Sequence, residues 1–229
     1  MHSLIINKPR TDRSRETLNR ILQAATQVFC EKGYHGSSIG DIAQVAGVAA
    51  GTIYVYFESK YTLYKFLLLQ CSHNIRKHLK KATEHCVSRR EMEEVGAREW
   101  LRLVQDHPYM YPIIWESLYV DRTLFVEYYT TFSQAYVRGI DIAKKRGEIR
   151  PEIDSDVLAW TLMGMAHFLG LNWGVFKNNP VQNTSIVENF MRILSGGIFV
   201  GSDVLKSEPS QFPIRIEVDF EEMRKKRTI

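Results

Sequence analysis

The sequence predicts an all-α protein: an N-terminal three-helix helix-turn-helix head joined by a long helix to a larger helical body. Three observations carry that prediction. Apolar residues recur at i, i+3, i+4, i+7 spacing through most of the chain. The first short helices are separated by glycine turns, not by runs of alternation. Helix starts fall on Ser, Thr or Asp, and breaks fall on Gly, Asn and Pro.

The elements follow in order. Residues 1–10 read as a flexible arm. A helix starts near Thr11 to Ser14, all capping types, with Leu18, Ile21, Leu22, Ala25, Val28 and Phe29 on one face and Gly33 at its end. Tyr34 to Ser37 is a short turn. Ser38 and Asp41 form a capping-box pair that opens a short helix with Ile39, Ile42, Ala43 and Ala46 inward. Gly47 breaks it, and Ala50 to Phe57 makes a second short helix. Ser59 caps a long helix from Lys60, whose core face carries Leu63, Phe66 and Leu67. A short helix, a glycine turn and another short helix are the pattern of helix-turn-helix.

The body continues with predicted helices at Glu91–Gln105, Tyr109–Val120, Leu124–Arg146, Asp154–Phe176 and Ile186–Leu205. Breaks are set at Pro108, at Gly147 with Pro151, and at Asn178-Asn179-Pro180. The end of the chain changes period. Phe212, Ile214, Ile216, Val218 and Phe220 alternate as in a strand, followed by the basic cluster Arg224 to Arg227. A lone strand is not stable, so this tail docks, stays loose, or is exchanged with a partner. The expected division is an arm at 1–10, a head at 11–65, a ligand-binding and dimerisation body at 66–205 and a tail at 206–229.

Composition narrows the function classes. The 229 residues are 45% hydrophobic with a net charge of +4, which suits a folded core and permits nucleic-acid binding without arguing for it. Residues 1–65 hold eight basic and five acidic residues, so most of that surplus sits in the head. Cys30, Cys71 and Cys86 are odd in number and widely spaced, which points to reduced thiols and a cytoplasmic protein. Met1 to Arg10 has no long apolar run of a signal peptide. Val157 to Phe176 lacks charge over a span's length, but Thr161, His167, Asn172 and three glycines make it read as a buried bundle helix, with no membrane partner.

A recognition helix must protrude, carry small residues where its backbone nears the duplex, and be flanked by phosphate donors. Ala49, Ala50 and Gly51 are small. Thr52, Tyr54 and Tyr56 supply hydroxyls. Lys60 begins the next helix, and Ser37 and Ser38 lead into the one before. These nine are the candidate DNA-binding residues. Each singly has a bland reading: Tyr54 or Tyr56 as half-buried core, Lys60 as a solvated lysine. Lys8, Arg10 and Arg13 reach a minor groove or form a solvated arm.

The run from Ser38 to Lys60, SIGDIAQVAGVAAGTIYVYFESK, resembles the signature of the tetracycline-repressor (TetR) family. The upstream run from Ala24 to Tyr34, AATQVFCEKGY, is similar to that family's first helix. The resemblance implies an all-α homodimer that represses until a small ligand releases it. It also implies DNA contacts, mostly to phosphates, at Ser38, Thr52, Tyr54, Tyr56 and Lys60. One departure stands out: Ala49 and Ala50 occupy positions where the family usually has Ser or Thr and then a polar residue. The lost cap costs roughly 1 kcal/mol, and an alanine there can meet a thymine methyl instead.

Ten of the 37 residues from Trp100 to Tyr136 are aromatic, against 11% over the chain. Such enrichment suits a pocket for a mostly apolar or ring-containing effector. The candidate ligand residues are Trp100, Tyr111, Trp115, Glu116, Tyr119, Tyr128, Phe132, Met163 and His167. The last two long helices are the expected homodimer interface, with Gly164, Gly170 and Gly174 allowing close approach and Met163, Leu169 and Trp173 supplying apolar surface. Cys71, His78 and His85 are too far apart along a helix to share a metal. No phosphate loop, nucleophile elbow or carboxylate pair occurs, so no catalytic residue, cofactor or metal is expected. The expected function is a transcriptional repressor released from a palindromic operator by a mostly apolar ligand. A ligand-independent regulator or activator, or a small-molecule carrier with a vestigial helix-turn-helix, are the alternatives.

Overall fold

The computed structural model describes residues 9–177 and 183–196. Among these the chain is helical, with no strand: α1 (Asp12–Gly36), α2 (Ile39–Ala46), α3 (Ala50–Tyr56), α4 (Lys60–Thr83), α5 (Arg89–Asp106), α6 (Met110–Val120), α7 (Arg122–Lys145), α8 (Ser155–Leu169) and α9 (Asn183–Gly196). The arm up to Lys8, the alternating tail and the stretch 197–205 of the last predicted helix lie outside the described residues.

Local chemistry explains the helix ends in the head. Thr11 and Ser14 close a reciprocal capping box on α1, Ser38 and Asp41 one on α2, and Ser59 and Thr62 one on α4. Gly33 interrupts α1 with φ 70° and ψ 168°, so the helix proper ends there and its last residues form the turn. Gly47 ends α2 in the left-handed region at φ 62°. Arg20, which reads in sequence as one more surface charge, donates to the carbonyls of Ala46 at 2.6 Å and Gly47 at 2.9 Å. It thereby satisfies acceptors at the end of α2 that have no helical partner. Ala49 starts α3 with no side-chain cap.

Residues up to Ser195 cluster as one compact unit, and Gly196–Ile229 as a second, of which only Gly196 is described. No boundary falls near residue 65. The reason is a shared core: Phe29, Ile42, Ile53, Phe57 and Leu63 of the head are continuous with Ile75, Ile113, Ile114 and Leu124 of the body. A second cluster joins Leu101, Ile140, Ala159, Leu162 and Phe190 at the far end.

The helix predicted over Asp154–Phe176 is two elements. α8 is regular to Leu169, and Gly170–Phe176 continues as a π-helix. Other helices pack closely along this stretch. A Cβ on Gly170 would lie 2.7 Å from Trp100 Nε1 and from the Tyr111 hydroxyl, and one on Gly174 would lie 2.6 Å from Val104. Trp100 Nε1 donates to Ala166 O at 2.9 Å and the Tyr111 hydroxyl to His167 O at 2.5 Å, where the helical ladder loosens. Gly170 and Gly174 therefore seat α5 and α6 of the same chain, correcting their reading as dimer contacts. Among the described residues no single helix is long and apolar enough to cross a membrane.

Candidate DNA-binding head and effector cavity

The head holds α3 on its outer surface. Its own Ile53 is buried, as are Ile42, Ala43 and Ala46 of α2. Ala49, Ala50 and Gly51 are exposed, as are Tyr54 (53%) and Val55 (60%), and Thr52 is half-buried. A Cβ added to Gly51 would meet nothing within 4 Å. The protein's own packing does not require a glycine there, so its smallness faces outward.

Four of the candidate DNA contacts have partners within the chain, Ser38 in the capping box its spacing predicts. Tyr56 is buried, and its hydroxyl donates to Ser14 O at 3.0 Å. Lys60 Nζ donates to Tyr34 O at 2.6 Å and Ser37 O at 2.7 Å, and lies 4.4 Å from the centre of the Tyr34 ring. Ser37 is buried and its hydroxyl donates to Tyr34 O at 2.8 Å. Ser38 is tied up in the α2 capping box, its hydroxyl bonded to the Asp41 carboxylate. Hydrogen bonds from Lys32, at 2.5 Å, and from Ser38 hold that carboxylate down at a pKa of about 2. These side chains anchor α2, α3 and the start of α4 to α1. Ala49, Ala50, Gly51 and Tyr54 remain as an outward face.

In the body, α4, α5, α6, α7, α8 and α9 line a cavity of about 850 Å³ that is open to the surface. Trp100, Trp115, Tyr128, Phe132, Met163 and His167 line it. Three candidates do not. Tyr111 is turned into the core to bond His167 O, Tyr119 is 80% exposed, and Glu116 points toward the head. The wall also holds Phe125, Tyr129, Tyr136 and Trp160. The sequence reading passed over its charged members altogether: Arg76, Lys80, Arg89 and Glu93. The i, i+4 pairing of Arg76 with Lys80 and of Arg89 with Glu93 was a usable signal, but such pairs usually face solvent.

His167 sits at the inner end. Trp115 Nε1 donates to His167 Nε2 at 2.9 Å, and the two rings stack with centroids 5.7 Å apart. Accepting through Nε2 leaves the ring proton on Nδ1, and burial pushes the pKa down to about 4. The imidazole is thus neutral at neutral pH, a polar point among the aromatic side chains of the wall.

α6 joins this cavity to the head. Trp115 stands in the cavity wall, and its neighbour Glu116 accepts a hydrogen bond from Tyr34 N at 2.5 Å. The Tyr64 hydroxyl donates to Ile113 O at 2.5 Å and the Tyr61 hydroxyl to Asp121 Oδ2 at 2.6 Å. The Tyr34 peptide is a node: its N–H is held by α6, and its carbonyl by Lys60 of α4 and Ser37.

A protruding α3 on a helix-turn-helix, with a hollow helical body behind it, defines a ligand-responsive DNA-binding regulator of transcription. Residues 21–66 match the family described as "Bacterial regulatory proteins, tetR family". That match spans the head, from within α1 to the start of α4. It is similar to the HTH-type transcriptional activator FasR of Mycolicibacterium smegmatis, at 22% identity over 80% of this chain and 83% of that protein. It is similar to the fatty acid metabolism regulator protein of Bacillus subtilis at 34% identity over 92 residues, 38% of this chain and 46% of the relative. Among solved structures, the regulator FadR from Bacillus subtilis in complex with stearoyl-CoA superposes with a TM-score of 0.67 at 21% identity, covering 80% of this chain and all of that one. The fatty acid degradation regulator FadR from Bacillus halodurans gives 0.71 at 21% identity over 83% of this chain and 98% of that one.

Proposed function

We propose that this chain is a dimeric cytoplasmic repressor, released from a palindromic operator when a long apolar ligand of the fatty-acyl type fills the cavity. The observation that carries the reading is α6, with Trp115 in the cavity wall and Glu116 bonded to Tyr34 of the head. A ligand that parts Trp115 from His167 turns α6, and the turn acts on the peptide that fixes α4 to the head. Two heads of a dimer must span half-sites about 34–36 Å apart, so a few Å of displacement costs operator affinity. The cavity lies in the range of small-molecule sites, about 300–1,000 Å³. The solved relative holding stearoyl-CoA supports the ligand class. Exposed Val157 and Phe176 after Asp154, with Ile193 on α9, support a dimer through the last two helices.

DNA contact is assigned to Ala49, Ala50, Gly51, Thr52 and Tyr54, with Ser37, Ser38, Tyr56 and Lys60 holding those residues in place. A second reading is activation, favoured by the likeness to an activator. It differs only in sign. The test is fluorescence anisotropy on a duplex from upstream of the protein's own gene, against a random duplex, with and without stearoyl-CoA. Selective binding weakened by stearoyl-CoA supports the repressor, and tightened binding supports the activator. Equal binding to both duplexes, indifferent to the ligand, refutes both.

A further inference from the structure

We propose that Arg89 is the receptor for the ligand's anionic group, a carboxylate or a phosphate, and that Glu93 is an exchangeable internal counter-ion holding its place. The inference rests on the cavity being the effector site. Arg89 Nε donates to Glu93 Oε1 at 2.7 Å, with a second contact through Nη2. Both side chains are largely buried, 13% and 10% exposed, and both stand in the cavity wall. The Arg89 guanidinium also lies 5.2 Å from the centre of the Tyr136 ring, another wall residue.

Two stability costs coincide at this point. A buried ion pair seldom repays its desolvation and is often bettered by apolar residues of the same volume. A glycine within a helix costs about 0.5–1 kcal/mol relative to alanine. Gly139, inside α7, is that glycine: a Cβ there would lie 2.5 Å from Arg89 Nη1. Gly139 thus leaves room on α7 for the flexible end of Arg89, beside a pair of a kind that apolar packing often betters. A charge kept on a cavity wall under those conditions suits an anionic ligand.

The charges around it have the right sign. Arg76, Lys80 and Arg89 line the cavity against the single carboxylate of Glu93. They lie where α4 ends and α5 begins, whereas Trp115 and His167 lie toward α6. Arg89 and Trp100 are eleven residues apart on α5, about 16 Å of helix, so the wall is long, cationic at one end and apolar along the rest. An amphiphile with its acid at Arg89 places its chain against the α6 end, where the head is reached. In this arrangement Glu93 competes with the ligand's acid for the same guanidinium.

The test measures three probes by tryptophan fluorescence titration: palmitate, palmitoyl-CoA and hexadecanol. Wild type, Glu93→Gln, Arg89→Met and Arg89→Lys are compared, each first checked by circular dichroism and thermal melting. Removing the competing carboxylate is expected to tighten an anionic probe roughly tenfold or more, the scale of one charge-assisted hydrogen bond. Arg89→Met weakens it by a similar factor, Arg89→Lys weakens it less, and hexadecanol stays within about twofold throughout. A response of palmitate alone assigns a carboxylate, and of palmitoyl-CoA alone a phosphate. Parallel changes for anion and alcohol overturn the proposal while leaving the cavity as the effector site. No binding of any probe to wild type overturns both.

Discussion

Replacing Lys60 with methionine removes the ammonium but keeps the apolar stem, and should lower the stability of the whole chain. Two carbonyls, of Tyr34 and Ser37, lose a charged donor at 2.6 and 2.7 Å. Each such bond is worth about 1.5–3 kcal/mol when buried, and Lys60 is half-buried, so the lower end applies to each. The ammonium over the Tyr34 ring adds about 0.5 kcal/mol at a partly exposed site. Discounting for water reaching the freed carbonyls leaves a loss of about 2–3 kcal/mol. For a chain of this size each kcal/mol moves the melting temperature by about 2–4 °C, so Tm should fall by about 4–12 °C. Thermal melting by circular dichroism measures this directly, without DNA. A simple phosphate-gripping lysine would lower operator affinity and leave Tm unchanged. A melting temperature within about 1 °C of wild type would refute the reasoning and return Lys60 to the DNA-contact set.

Three further outcomes are expected. Gly51→Ala should raise stability by up to about 1 kcal/mol, since the site is open and alanine is the better helix former, yet weaken operator binding severalfold; unchanged affinity would remove Gly51 from the contact face. His167 has a pKa of about 4 in the native chain against 6.5 unfolded, so the unfolded chain binds the extra proton. Stability is therefore full above pH 6.5 and is lost as pH falls toward 4, by up to about 3 kcal/mol; His167→Gln should flatten that slope in denaturant melts, and an equal slope would show that another group titrates. Glu116→Gln should weaken the bond to Tyr34 N and reduce the ligand's effect on operator binding while leaving ligand affinity within about twofold; a full response would mean the signal bypasses α6.

The head was the most legible part of the chain because its signals are local. Capping pairs three residues apart and glycines at 33 and 47 fix helix ends without help from elsewhere. The direction a side chain takes is less local. Lys60 and Tyr56 have the residue types of phosphate donors, but their partners lie 23 to 42 residues away on α1 and the turn after it. Trp100, Trp115, Tyr128 and Phe132 of the aromatic run stand in the cavity wall, yet counting aromatics cannot tell which side of α6 a residue faces. Tyr119 and Glu116 therefore sit outside the cavity. Arg89 and Glu93 have the i, i+4 spacing of a surface pair, and their burial beside Tyr136 and Gly139 of α7 is set by tertiary packing. The π-helical stretch was invisible for the same reason: Gly170 and Gly174 yield to Trp100, Tyr111 and Val104 from other helices.

The shared core also bears on how such a protein can be recombined. Head residues such as Phe29 and Leu63 share one buried core with Ile113 and Ile114 of α6. A head cut out at residue 65 would carry that apolar surface into water. A head grafted onto another body would meet a foreign α6, with no assured acceptor for the Tyr34 amide. Exchange of DNA specificity between related regulators is thus easier by rewriting the outer face of α3, from Ala49 to Tyr54, than by swapping whole heads. The outer face can drift while the inner one is tied to the body.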